Sequence, residues 1–174
     1  MVQNLRLIGS RTLTSSDSDV TSNYTLPASS LSWGTTATMY NSYAYYDSSR
    51  SEWGAYYNWY TATAGIRDSS LSVGAEAPTS VCPKNWTLPN YYNFRDLINL
   101  NVITKEIFNG QYNGVIMDRE LSRTGSEGGL FSRDISWAGG PNMYVFGYGL
   151  GGSPVSAGGA FYSHTGRSVR CIAR

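Results

Sequence analysis

The hydrophobic and polar positions along the chain predict few long elements. Leu5 and Leu7 alternate with polar neighbours and the run stops at Gly9, which predicts a short strand over Asn4 to Ile8. Ser15 to Ser32 is mostly Ser, Thr, Asp and Asn around Pro27, and reads as an ordered loop with one helical turn capped near Ser16 or Asp17. Tyr40 to Tyr60 holds nine aromatic rings in 21 residues. Neither a 2.0 nor a 3.6 period accommodates them all, so this stretch is expected to divide between core and surface. After a small-residue loop, Ala62 to Ser80, Asn90 follows Pro89 as a helix N-cap, and Phe94, Leu97 and Ile98 fall at i, i+3 and i+4. That spacing predicts a helix over roughly Tyr91 to Leu100 with one apolar stripe facing a core. A second short helix is expected over Val102 to Phe108.

The pattern changes at Gly110, and 14 of the 19 glycines lie from that residue onward. They separate the short apolar runs Val115 to Met117, Leu130 to Phe131, Met143 to Tyr148, Ala160 to Tyr162 and Ser168 to Ile172. Short antiparallel strands with long irregular loops are expected there. With one main helix, this makes an α+β domain. No internal repeat or composition break divides the chain, so residues 1–174 are expected to form a single domain.

Charge narrows the function classes. Thirteen basic and twelve acidic side chains leave a net charge of +1, with only 14% charged residues. Such a surface has no field to steer a polyanion, so no nucleic-acid partner is expected. One His and two Cys cannot supply a four-ligand N/S zinc site. No run approaches the 18 apolar residues of a membrane span, and the opening MVQNLRLIGS lacks the apolar core of a secretory signal. A signal or anchor, if present, is expected upstream of Met1. The polar surface must instead come from 24 Ser, 14 Tyr, 14 Thr and 12 Asn, and the mixture of Tyr, Ser, Asn and Gly is one enriched in antibody paratopes. It points to binding more than to catalysis.

The candidate reactive groups favour the same reading. Gly147 to Gly152 fits G-x-G-x-x-G, but Ser153-Pro154 follows where a dinucleotide fingerprint needs a helix, so turns are expected. His164, the only imidazole, sits in a Tyr-Ser-His-Thr-Gly turn, and Ser163 beside it need not face it. Asp118 and Glu120 would share a face if Met117 to Leu121 were extended. With Arg119, Arg123, Arg133, Glu127 and Asp134 around them, a solvated ion-pair cluster is the expectation. Asp17 and Asp19 lack a third close carboxylate for calcium, which leaves turn and cap roles. The sequons at Asn23 and Asn85 would matter only in a eukaryotic secretory pathway. Trp59 and Trp86 are expected in the core. No triad, metal set or acid pair survives, so the chain is expected not to be an enzyme and to need no cofactor or metal.

Cys82 precedes the predicted helix and Cys171 lies in the last predicted strand. They are either a disulfide or two buried thiols of a cytosolic protein. Three stretches carry a resemblance: Gly54-Ala-Tyr-Tyr-Asn-Trp59; Cys82-Pro-Lys-Asn-Trp-Thr-Leu-Pro89 with Phe94 and Leu97; and Gly166-Arg-Ser-Val-Arg-Cys171. Together with the opening NLRLIGSRTLTSSDSDVTSNYTLPASS, they resemble the Fibrobacter succinogenes major paralogous domain, FISUMP, over nearly the whole chain. The resemblance implies a C-type-lectin-like fold and a Cys82–Cys171 disulfide joining the helix region to the final strand. It also implies an extracellular or cell-surface location and a further segment before Met1.

Sugar-binding C-type lectins hold calcium through Glu-Pro-Asn or Gln-Pro-Asp and Trp-Asn-Asp. This chain has only Trp137-Ala-Gly-Gly-Pro-Asn142 in a comparable place, so calcium-dependent sugar binding does not carry over. The sulfatase-modifying oxidases, which share a related fold, use reactive cysteines that the disulfide would consume here. In this fold the Gly-rich second half forms the loop end where ligands dock. That makes Trp137, Asn142, Tyr144, Tyr148 and Tyr162 the candidate ligand-binding residues. The expected function is a non-enzymatic adhesion or binding module of a bacterial surface protein, recognising protein or glycan without a metal. The alternatives are the globular head of a pilin-like subunit and a hypervariable ligand-display protein.

Overall fold

A computed structural model describes residues 4–33, 40–99, 115–117, 119–122, 127–135, 142–149 and 156–174. The strands in chain order begin with β1 (Thr12–Leu13), β2 (Tyr24–Thr25), β3 (Ala44–Tyr46), β4 (Ala55–Tyr57), β5 (Trp86–Thr87) and β6 (Val115–Met117). There follow β7 (Glu120–Ser122), β8 (Glu127–Ile135), β9 (Asn142–Gly149), β10 (Ser156–Tyr162), β11 (Arg167–Ser168) and β12 (Ile172–Ala173). The helices are α1 (Trp59–Ala62) and α2 (Tyr91–Asn99), with 3-10 turns at Ser48–Trp53 and Asp68–Ser70. The architecture is α+β. Its main sheet has the order β10-β9-β8-β11-β4-β3, antiparallel throughout except for the parallel pair β11–β8.

The helix α2 starts where Asn90 predicts. Its Oδ1 accepts the Asn93 amide at 2.9 Å while Asn93 Oδ1 accepts the Asn90 amide at 2.8 Å, a reciprocal cap that satisfies two orphan donors. Phe94 is buried, with Leu97 and Ile98 half-buried beside it. The predicted helix over Val102 to Phe108 lies outside the described residues.

Several boundaries differ from the sequence pattern. Asn4 to Ile8 is not an assigned strand, although the Leu5 amide donates to Val169 O and Leu5 O accepts from the Ala55 amide, both at 2.8 Å. The turn in the first loop is capped at Thr14, not Ser16 or Asp17. Asp17 Oδ1 reaches back to the Thr14 amide at 2.8 Å, and that bond holds the Asp17 carboxyl below its usual range. The run Leu130 to Phe131 extends to nine residues of β8. The expected last strand, Ser168 to Ile172, divides between β11 in the main sheet and β12 against β5. Met117 and Glu120 pair across the β6–β7 hairpin, with Arg119 at φ 70° between them, instead of continuing one strand, and Asp118 lies outside the described residues.

The aromatic stretch resolves through β4. Tyr57 joins the larger core with Leu5, Leu13, Leu26, Trp59, Leu88, Phe131 and Val169. Tyr56, one residue earlier on the strand, packs on the other face with Trp33 and Ile116. Both sheet faces are covered at β4, which is why no single period fits. Tyr57 donates its hydroxyl to Leu7 O at 2.9 Å, and burial pushes its pKa up. Trp59 donates its indole N–H to Ser132 O at 3.0 Å, whereas Trp86 is half-buried against the core.

Cys82 and Cys171 are bonded and fully buried. The bridge spans 89 residues, and a loop of that length gives roughly 4–5 kcal/mol in the chain-entropy treatment. Replacing both cysteines by Ser is expected to remove stabilisation of that order, read by denaturant unfolding, and the denatured unreduced wild type should release no titratable thiol. Gly166 faces a tighter limit, because a Cβ there would lie 2.4 Å from the Trp33 ring and 2.7 Å from Ile116 Cβ. Gly166→Ala is expected to cost about 1–3 kcal/mol by overpacking, measured by the same unfolding curves.

Candidate functional site

The predicted ligand residues fall on the outer part of the main sheet. The register of β9 against β10 sets Asn142 opposite Tyr162 and Tyr144 opposite Ala160. Tyr148 pairs with Gly128 near the other end of β9. It lies six positions along the strand from Asn142, roughly 20 Å at about 3.4 Å per residue. The strands therefore bring Asn142, Tyr144 and Tyr162 to one end and carry Tyr148 away from them. Trp137 lies outside the described residues.

Tyr162 is 56% exposed. Its ring stacks on the His164 imidazole at 5.1 Å with 17° between planes. The turn that holds them is closed by Thr165, whose amide and hydroxyl both donate to Tyr162 O, at 3.0 and 2.8 Å. Ser163 is buried, and its carbonyl accepts from the Trp59 amide at 2.9 Å, anchoring the turn to α1. The imidazole thus lies in the expected turn, half-buried against a tyrosine.

Helix α2 packs on β8, β9 and β10 and contributes a second exposed ring, which the sequence reading missed. Tyr92 is 58% exposed, and the Arg95 guanidinium lies 4.8 Å from its centroid. The i, i+3 spacing of Tyr92 and Arg95 was the available signal, since helix neighbours at that spacing meet on the surface. Aromatic faces beside cations recur at Trp53 with Arg50 (4.4 Å) and at Tyr40 with Arg67 (5.2 Å).

The seat of α2 is polar. Asp134 is buried, and its Oδ2 accepts the Tyr91 amide in the first turn of α2. Burial is the main cause that pushes its pKa up to about 6, opposed by that amide and reinforced by nearby Glu76. Arg133 is also largely enclosed. It donates through Nε to Ala77 O at 3.0 Å and through Nη1 to Thr87 Oγ1 at 2.6 Å, and pairs with Glu76 Oε2 at 3.4 Å. The expected solvated cluster is thereby corrected at Arg133 and Asp134, which the segment 75–77 and the start of α2 enclose.

The other candidates take structural roles. Asp19 pairs with Arg174 at 2.6 Å and accepts from Ser80 Oγ at 2.9 Å. Asp17 reaches back to the Thr14 amide and meets Arg11 at 3.3 Å. Glu120 is exposed on β7. Gly147 and Gly149 pair inside the sheet with Gly129 and Glu127, so these two glycines occupy a strand and not the expected turn. Among the described residues, no group of three or more His, Cys, Asp or Glu is placed to hold a metal ion. No helix among them is long and apolar enough to cross a membrane.

Because Tyr162 is more than half exposed, its truncation separates contact from support. Tyr162→Ala is expected to change unfolding free energy by no more than about 0.5 kcal/mol, checked by thermal or denaturant unfolding. Comparison of the chain with protein-family models, curated proteins and solved structures finds no match.

Proposed function

We propose that this chain is a non-enzymatic binding or adhesion module of a bacterial surface protein, working outside the cell with a C-type-lectin-like fold. The observation that carries the reading is the buried Cys82–Cys171 bridge. Disulfides persist in oxidising, extracytoplasmic compartments and are rare in the cytosol. The bridge also ties the approach to α2 to the residue preceding β12, as the resemblance to the FISUMP family implies. The α+β architecture, with one main helix beside a mostly antiparallel sheet, is compatible with that fold.

The contact surface in this reading is the end of the β9–β10 pair, with Asn142, Tyr144 and Tyr162, and with Trp137 close in sequence. A flat, exposed ring such as Tyr162 can stack on a sugar face or act as a protein hot spot. The low charge of the chain favours a ligand recognised by stacking and hydroxyl hydrogen bonds over one recognised as an ion. Glycan arrays and pulldowns from host or neighbouring cells test it. A specific ligand is expected to bind wild type and to lose at least about tenfold in affinity with Tyr162→Ala, the scale of one aromatic anchor. Absence of binding in both assays, or undiminished binding by the variant, overturns the reading.

A further inference from the structure

Three chain segments meet at the start of α2. The end of β8 lies against residues 75–77, where the Ile135 amide donates to Ala75 O at 3.2 Å and the Ala77 amide to Arg133 O at 2.9 Å. It also lies against the approach to the helix, where the Arg133 amide donates to Pro89 O at 2.9 Å. Within this junction Glu76 and Asp134 sit at facing bridge positions. Glu76 accepts from Asn90 Nδ2 at 2.7 Å and pairs with Arg133, while Asp134 takes the Tyr91 amide.

We propose that Asp134 and Glu76 form a proton-dependent clasp between β8 and the first turn of α2, so that acidification stabilises the seat of the helix carrying Tyr92 and Arg95. The two carboxylates face each other across the bridge, Glu76 is paired with the Arg133 guanidinium, and they differ in exposure. The Glu76 side chain is 44% exposed and can keep its charge in water, whereas Asp134 is 5% exposed. The proton therefore goes to Asp134. The charged groups around it are Glu76 from the segment before α2 and Arg133 from its own strand. From α2 itself come the Tyr91 amide and the positive end of the helix backbone, which hold the ionised form once it appears. The charged side chains of α2, Arg95 and Asp96, lie 3.9 Å apart and are largely exposed. The clasp stands on this packing and does not depend on which ligand the module binds.

The sign follows from the raised pKa. Asp134 holds its proton to about pH 6 in the folded protein, against 3.8 for the ordinary carboxyl. Between those values the folded state binds more protons than the unfolded state, so stability falls as pH rises. The contribution is complete below about 4 and is lost through about 6.

The test compares wild type with Asp134→Asn, which keeps a neutral acceptor for the Tyr91 amide. From pH 4.5 to 7.5 the unfolding equilibrium constant of wild type is expected to rise roughly tenfold to a hundredfold relative to the variant. The Tyr91 amide resonance is expected to titrate with a midpoint near 6 in wild type and to stay flat in Asp134→Asn. Parallel stability curves, or a Tyr91 amide that does not titrate, overturn the proposal. Should Asp134→Asn fail to fold, Glu76→Gln decides. Removing the neighbouring charge is expected to lower the Tyr91 midpoint, and a midpoint that stays or rises refutes the shared clasp.

Discussion

The structure depends on a single buried run of backbone, Thr165 to Cys171, every residue of which lies inside the molecule. β11 sits between β8 and β4 in the main sheet. The next residue, Val169, takes the Leu5 amide, and Leu5 in turn accepts from Ala55. Two residues further on, the disulfide leaves from Cys171. The first described residues, the central strands and the approach to α2 are therefore all registered against one short segment. Close approach is what permits this. Gly166 leaves room for Trp33 and Ile116, and Gly54, at φ 75°, leaves room for Asn4 and Leu5 O. Arg167 and Arg170 are enclosed in the same run. Arg170 Nε gives a 2.7 Å bond to Asn4 Oδ1, which offsets part of the cost of enclosing that guanidinium.

How much of this was legible depends on whether the deciding interactions are local. The start of α2 was, because Pro89, Asn90 and Asn93 act within one turn. The disulfide entered through a family resemblance, since two cysteines alone leave the alternatives open, and the structure contains it. The nine-residue length of β8 was not legible. Gly128, Gly129, Arg133 and Asp134 interrupt any apolar pattern, and the strand exists because partners on both sides pair with it. The Tyr-rich stretch was ambiguous for a related reason: β4 is covered on both faces, and alternation is informative only when one face meets water.

The candidate surface shows the same division. Strand register, which depends on hairpin geometry, gathers Asn142, Tyr144 and Tyr162 and sets Tyr148 apart. Spacing along the chain carries no such information in a Gly-rich region. Asp134 was read as solvated because its neighbours in sequence are charged and polar. Its actual surroundings come from Glu76, Asn90 and Tyr91, brought in by tertiary contacts.

The bridge also has a mechanical meaning. If the chain is pulled from its two ends, tension that reaches Cys82 passes directly to Cys171 and bypasses the 89-residue interval between them. At about 3.4 Å per extended residue, roughly 300 Å of contour is withheld from extension. α2, β8, β9, β10 and β11 all lie in that withheld interval, together with Asn142, Tyr144 and Tyr162. Force can open the β1–β2 pair, strip β3 and β4 from the main sheet and pull out the first segment. It cannot draw the candidate contact residues out into line with the pulled chain unless the disulfide itself breaks.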